Sequence, residues 1–174
     1  MIRSYRSLGD SKSIKDLFVL VNRVSFSSRY GIGIALLQFT AFGLFSGGIT
    51  IMIVGMTSVF VPQDLSYMGL TPSDLASISD RLVPLIAHDR ASFGGGVATI
   101  GLLFFFSIRR AMPSRNLWEI LILSLGIGFA AAVAVHWLIG YTDYTHLAPA
   151  YLGILAYLAG LILTYNKMVR RIDD

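Results

Sequence analysis

Residues 31–61 read GIGIALLQFTAFGLFSGGITIMIVGMTSVFV, an apolar run with no charged side chain that is closed by Pro62. A helix needs about 20 such residues to cross a bilayer, and a soluble fold has little use for an uninterrupted run of this length. Three more stretches are long and apolar enough, so the expected spans are 31–61, 91–108, 117–139 and 147–165. At 1.5 Å per residue the first would extend roughly 46 Å. That exceeds a hydrocarbon core of about 30 Å, so it is expected to tilt, to bend near Gly47 and Gly48, or to project into water.

Composition agrees. Charged residues make up 14% of the 174, against roughly 25% in soluble domains. The expected fold is an all-α integral membrane protein, a single domain built as a four-transmembrane-helix bundle. The chain has no cysteine, which excludes disulfides, thiolate metal sites and cysteine nucleophiles. The first apolar run starts late and is too long for a signal-peptide core, so it reads as an anchor that stays.

Charge placement sets the expected orientation. Arg3, Arg6, Lys12, Lys15, Arg23 and Arg29 precede the first span; Arg109, Arg110 and Arg115 separate the second and third; Lys167, Arg170 and Arg171 follow the fourth. Only Arg81 and Arg90 fall on the other side. The positive-inside rule then puts both termini in the cytoplasm, in a membrane expected to be the bacterial cytoplasmic one. The net charge of +4 follows from that topology and is no sign of nucleic-acid binding.

The expected cytoplasmic arm, 1–30, carries Ile14, Leu17, Phe18, Val21 and Val24 at helical spacing. It reads as an amphipathic interfacial helix, resting on anionic lipid or docking on a partner protein. In the expected outer loop, 62–90, Thr71, Pro72 and Asp74 have the order of a helix start, and a second start follows at Ser79 and Asp80. One or two short helices are expected there.

Small residues recur at four-residue steps: Gly43 and Gly47; Gly94 and Ala98; Gly126, Ala130 and Ala134; Ala156 and Gly160. Close backbone approach along such stripes holds helices together in lipid, within this chain or between chains. Gly94, Gly95 and Gly96 lack the GxxxxGK[ST] context of a phosphate loop.

In this topology all three histidines fall at the outer side, and the candidate ligand or metal residues are His88, Asp89, Arg90, His136, Asp143 and His146. Three readings stand. The triplet caps a helix, with Arg90 pairing Asp64 or Asp143. Alternatively, His136, on one face with Gly128 and Ala132, lines a pocket for a quinone headgroup, lipid headgroup or pigment. Or two or three histidines hold zinc, copper or a haem iron. A catalytic base could be His88 or His136, but no serine or threonine sits in a nucleophile motif. Glu119 lies at the opposite end and neutralises Arg115. Trp137, Tyr141 and Tyr144 form an interfacial aromatic belt. No span carries a charge at mid-membrane, which disfavours a transporter.

The stretches FVPQDLSYMGLTPSDL and RLVPLIAHDRASFGGG, about a fifth of the chain, resemble a pattern in small bacterial polytopic membrane proteins to which no activity is attached. The resemblance implies that the outer loop and the AHDRAxFGG-like stretch form one unit. The DoxX-like proteins share the four-span layout only. The expected function is a non-catalytic accessory or scaffolding subunit in contact with membrane lipid and with other integral membrane proteins or itself. The alternative is a ligand-binding or redox protein using the outer His/Asp/Arg ring.

Overall fold

The computed structural model describes residues 27–171, so the expected amphipathic arm lies outside the described residues. All regular structure among them is helical: α1 (Arg29–Met56), α2 (Pro62–Met68), α3 (Pro72–Ile78), α4 (Leu82–Arg110), α5 (Arg115–Leu138) and α6 (Tyr144–Tyr165), which runs into a π-helical turn (Asn166–Arg170). Four of these, α1, α4, α5 and α6 with its π-turn, are long and apolar enough to cross a membrane. The chain therefore has the makings of a membrane-resident protein. One end of the four helices carries α2 and α3, here the loop rim. The other carries Arg109, Arg110, Arg115, Lys167, Arg170 and Arg171, the basic rim.

Local chemistry fixes the helix starts. The Ser28 hydroxyl accepts from the Gly31 N–H at 3.0 Å, the Ser114 hydroxyl from Leu117 at 3.2 Å, and the Asp143 carboxylate from His146 at 2.7 Å. Each satisfies a donor that the first helical turn leaves over. α4 begins at Leu82, well before residue 91, where the apolar run alone would start it. Pro84 falls in the first turn, where a missing N–H costs nothing. His88, Asp89 and Arg90 thus sit inside the helix, on turns that project beyond the apolar stretch. At 29 residues α4 is roughly 43 Å long, so the surplus over about 30 Å of hydrocarbon carries these polar groups.

α1 ends earlier than its apolar run, at Met56. The N–H of Val59 turns back to the Val54 carbonyl at 2.7 Å, with Val59 at φ 64°. That backbone region is strained for a β-branched residue. The turn is compensated by burial of Val59 and by redirecting the chain into α2.

α1 is the central helix. It packs most extensively on α4, next on α6, and α6 in turn touches α5. Leu37 and Ala41 of α1, Phe104 and Ile108 of α4, Leu121 and Leu125 of α5, and Tyr157 and Leu161 of α6 share one buried cluster.

The α1–α4 contact is made by backbone. A Cβ on Gly48 would fall 2.7 Å from the Gly94 carbonyl oxygen, and one on Gly94 would meet the Gly48 oxygen at the same distance. Gly101 faces Ala41 and Phe45, and Gly55 faces Ala91. Gly33 and Gly160 meet in the same way between α1 and α6. The register on α1 differs from the expected one: Gly43 and Gly47 have nothing within 4 Å, and Gly48 and Gly55 make the contact. One residue is 100° of helix rotation. The seven-residue spacing of Ala41, Gly48 and Gly55 matches that of Gly94 and Gly101 on the antiparallel partner.

On α5 only Gly126 of the expected stripe makes a contact within the chain. Gly126 lies beside the Tyr157 hydroxyl, while Ala130 and Ala134 are exposed. α5 docks instead through Leu117, Leu121 and Leu125, near the basic rim. Tyr157 donates to the Ile122 carbonyl at 2.9 Å, and the Trp118 indole donates to Leu161 at 3.0 Å. On α6, Gly160 is buried and Ala156 is half-buried.

Candidate functional site at the loop rim

The first residues of α2 build this site. The Val61 N–H donates to Asp64 Oδ2 at 2.9 Å, the half of a capping box that needs no side chain from the cap residue. This aims the Asp64 carboxylate at the helical core, where only 7% of the residue stays exposed. Arg90, on the third turn of α4, reaches across and its Nη1 donates to Asp64 Oδ2 at 2.6 Å. The other oxygen, Oδ1, accepts from the Tyr141 hydroxyl at 2.9 Å. Arg90 also lies over the Phe60 ring, 5.8 Å from its centre.

The carboxylate thus ties together α2, α4 and the α5–α6 connection. Burial alone would raise its pKa. The hydrogen bonds from Arg90, Val61 and Tyr141, with the Arg90 charge, outweigh burial and hold the carboxyl below its ordinary value. Burial, then the neighbouring carboxylate, pushes the Tyr141 phenol well above its ordinary value, so it stays a donor.

Four rings pack outward from this clamp, the first three stacked and the fourth tilted. Tyr67 lies on Tyr141 with centres 4.8 Å apart, Tyr141 on His146 at 4.8 Å, and His146 beside His136 at 5.4 Å. The Tyr67 hydroxyl donates to the Ile139 carbonyl. His136 Nδ1–H donates to its own helix at Ala132, 2.6 Å away, which leaves Nε2 as the acceptor nitrogen. Asp143 serves as the α6 cap. It accepts from the Thr145 hydroxyl and the His146 N–H, which keep its carboxyl below the ordinary value.

The triplet from the sequence is therefore divided. Arg90 turns inward, whereas His88 and Asp89 pair with each other at 3.0 Å and remain about three-quarters exposed. His136 and His146 come together, and His88 is not part of their ring contacts. Among the described residues, no three of His, Cys, Asp and Glu converge to hold a metal ion. In the sequence Tyr141 is legible only as a belt aromatic, and Tyr67 carries no signal. A tyrosine that reaches a buried carboxylate across the fold has no sequence spacing to betray it.

No protein-family model, curated protein or solved structure matches this chain.

Proposed function

We propose that the chain is a non-catalytic integral membrane subunit, an accessory or scaffolding member of a larger membrane assembly. In this reading the basic rim faces the cytoplasm of a bacterium and α2 and α3 cover the outer side. The observation that carries it is the division of α5. Leu117, Leu121 and Leu125 anchor it near the basic rim; further along only one face, with Phe129 against Tyr157 and His136 against His146, meets α6, while Gly128, Ala130, Ala131 and Ala134 are exposed. Small residues let a second backbone approach closely in lipid, where no hydrophobic drive separates protein from acyl chain. The best-formed polar group, Asp64 with Arg90 and Tyr141, has both carboxylate oxygens committed to holding the loop rim.

The test is purification of a tagged chain in mild detergent, with mass spectrometry of what accompanies it. A stoichiometric membrane partner, or a second copy, should be lost from the Ala130→Leu/Ala134→Leu variant while the thermal midpoint stays put. A chain that purifies alone as a monomer overturns the reading.

The ring contact of His136 and His146 supports a second reading, a ligand or redox site for a quinone, haem, pigment or metal. Such a chain would carry an absorbing group or metal, and His136→Ala would remove it.

A further inference from the structure

At the basic rim, α5 and α6 enclose a groove of about 370 Å³, open to the side and lined by Trp118, Ile122, Leu158, Leu161, Ile162 and Tyr165. Its walls are apolar along its length, and its aromatic end is fixed in place. The Trp118 indole donates to the Leu161 carbonyl at 3.0 Å and stands edge-on to Tyr165, with centres 5.4 Å apart.

Two guanidinium groups stand at that end. Arg115 precedes Trp118 by three residues and Ile122 by seven, so it occupies the groove-lining face of α5 one turn nearer the rim. Arg170 comes back over Tyr165, 5.5 Å from the ring centre, because the π-turn after α6 packs against α5. Glu119 accepts from Arg115 Nε at 2.7 Å. A guanidinium has five donors, and two arginines against one carboxylate leave the mouth of the groove positive. Arg171 follows directly and is exposed.

An apolar groove that ends at aromatic rings and a net positive pair matches an amphiphile with an anionic head. Basic pockets between membrane helices recognise lipid headgroups through this combination, and arginine binds phosphate with directed hydrogen bonds. We propose that the groove is a binding site for one anionic phospholipid, its acyl chain against Ile122, Leu158 and Ile162 and its phosphate between Arg115 and Arg170. This site is separate from the uncovered face of α5.

Trp118 is a built-in reporter. The chain has two tryptophans, so the Trp137→Phe variant leaves Trp118 as the sole indole. Placed in phosphatidylcholine vesicles, it is titrated with chain-brominated phosphatidylglycerol or, separately, chain-brominated phosphatidylcholine. The expected result is a preference of about fivefold for quenching by the anionic lipid, the factor one well-placed arginine supplies at a membrane surface. Arg115→Gln/Arg170→Gln should abolish the preference. Glu119→Gln, which removes the competing carboxylate and leaves both arginines, should increase it. Equal quenching by the two lipids overturns the proposal, as does a preference that survives loss of both arginines or falls in Glu119→Gln.

Discussion

α1 and α5 are both long apolar helices, but they are held in opposite ways. α1 meets α4 through glycine, backbone against backbone, from Ala41 to Gly55. α5 meets the rest through large side chains, with Leu117, Leu121 and Leu125 buried near the basic rim and Phe129, His136 and Trp137 touching α6 further along. In lipid the first kind of contact gains its cohesion from many short van der Waals approaches and admits no added atom. The second tolerates adjustment because leucine side chains can shift rotamer. The difference teaches where this fold is rigid and where it has surface to spare.

The largest break in that comparison should come from the glycines. Gly94→Leu places a side chain into the α1 backbone and should cost about 3 kcal/mol or more of overpacking, read as a collapsed thermal midpoint in detergent. Gly43→Leu on the same pair of helices meets open space and should leave the midpoint nearly unchanged. If the two variants melt alike, α1 does not use the Gly48 face.

Next comes the clamp that closes the loop rim over the α1–α4 pair. Arg90→Leu leaves the Asp64 carboxylate buried without its cation, at a cost of about 3 kcal/mol, the low end for a broken buried pair. Asp64→Asn and Tyr141→Phe should cost less, in that order, each about 1–2 kcal/mol.

Acid should reproduce the Asp64 change without mutation. A carboxyl whose folded pKa is lowered contributes stability that is present above the ordinary value of about 3.9. That contribution is lost as pH falls through the lowered folded value. The midpoint difference between the parent chain and Asp64→Asn should therefore be full at pH 6 and shrink below pH 4. A difference independent of pH over that range would mean that the ion pair is not what the substitution removes.

The smallest effect is expected on the exposed face of α5, set against a buried control on the same helix. Leu121→Ala, buried where α5 docks, should lower stability by about 2–3 kcal/mol, whereas Ala134→Leu on the exposed face should stay within about 0.5 kcal/mol. Equal costs would mean that the face of α5 carrying Ala134 is covered within the chain.

What the sequence makes legible divides along the same physical line. Four apolar runs long enough to span are a property of composition, so the four long helices can be read directly from the residues. Their ends are less accessible. The stop at Met56 depends on a left-handed Val59 that hydropathy cannot register. The start at Leu82 depends on polar residues continuing a helix beyond the apolar stretch. Glycine at 43, 47 and 48 permits two faces of α1, and only the spacing on α4 chooses between them. At the loop rim, Arg90 and Asp64 are readable as a possible pair by charge. Tyr141 reaches the same carboxylate from 77 residues away, a proximity created by α5 and α6 being antiparallel.

The central place of α1 has a consequence for the order in which the chain can be made. Its two partners are the second and the last of the long helices, and the Thr40 hydroxyl reaches the Gly153 carbonyl across 113 residues. During synthesis the Gly48–Gly55 face must wait in the bilayer until α4 emerges. The Gly33 face waits longer, until α6 does. α5, third to be made, has little to hold until the helix after it arrives. A ribosome that stalled before α6 would therefore release a half-clasped pair of helices beside a loose third, and α6 is what joins them.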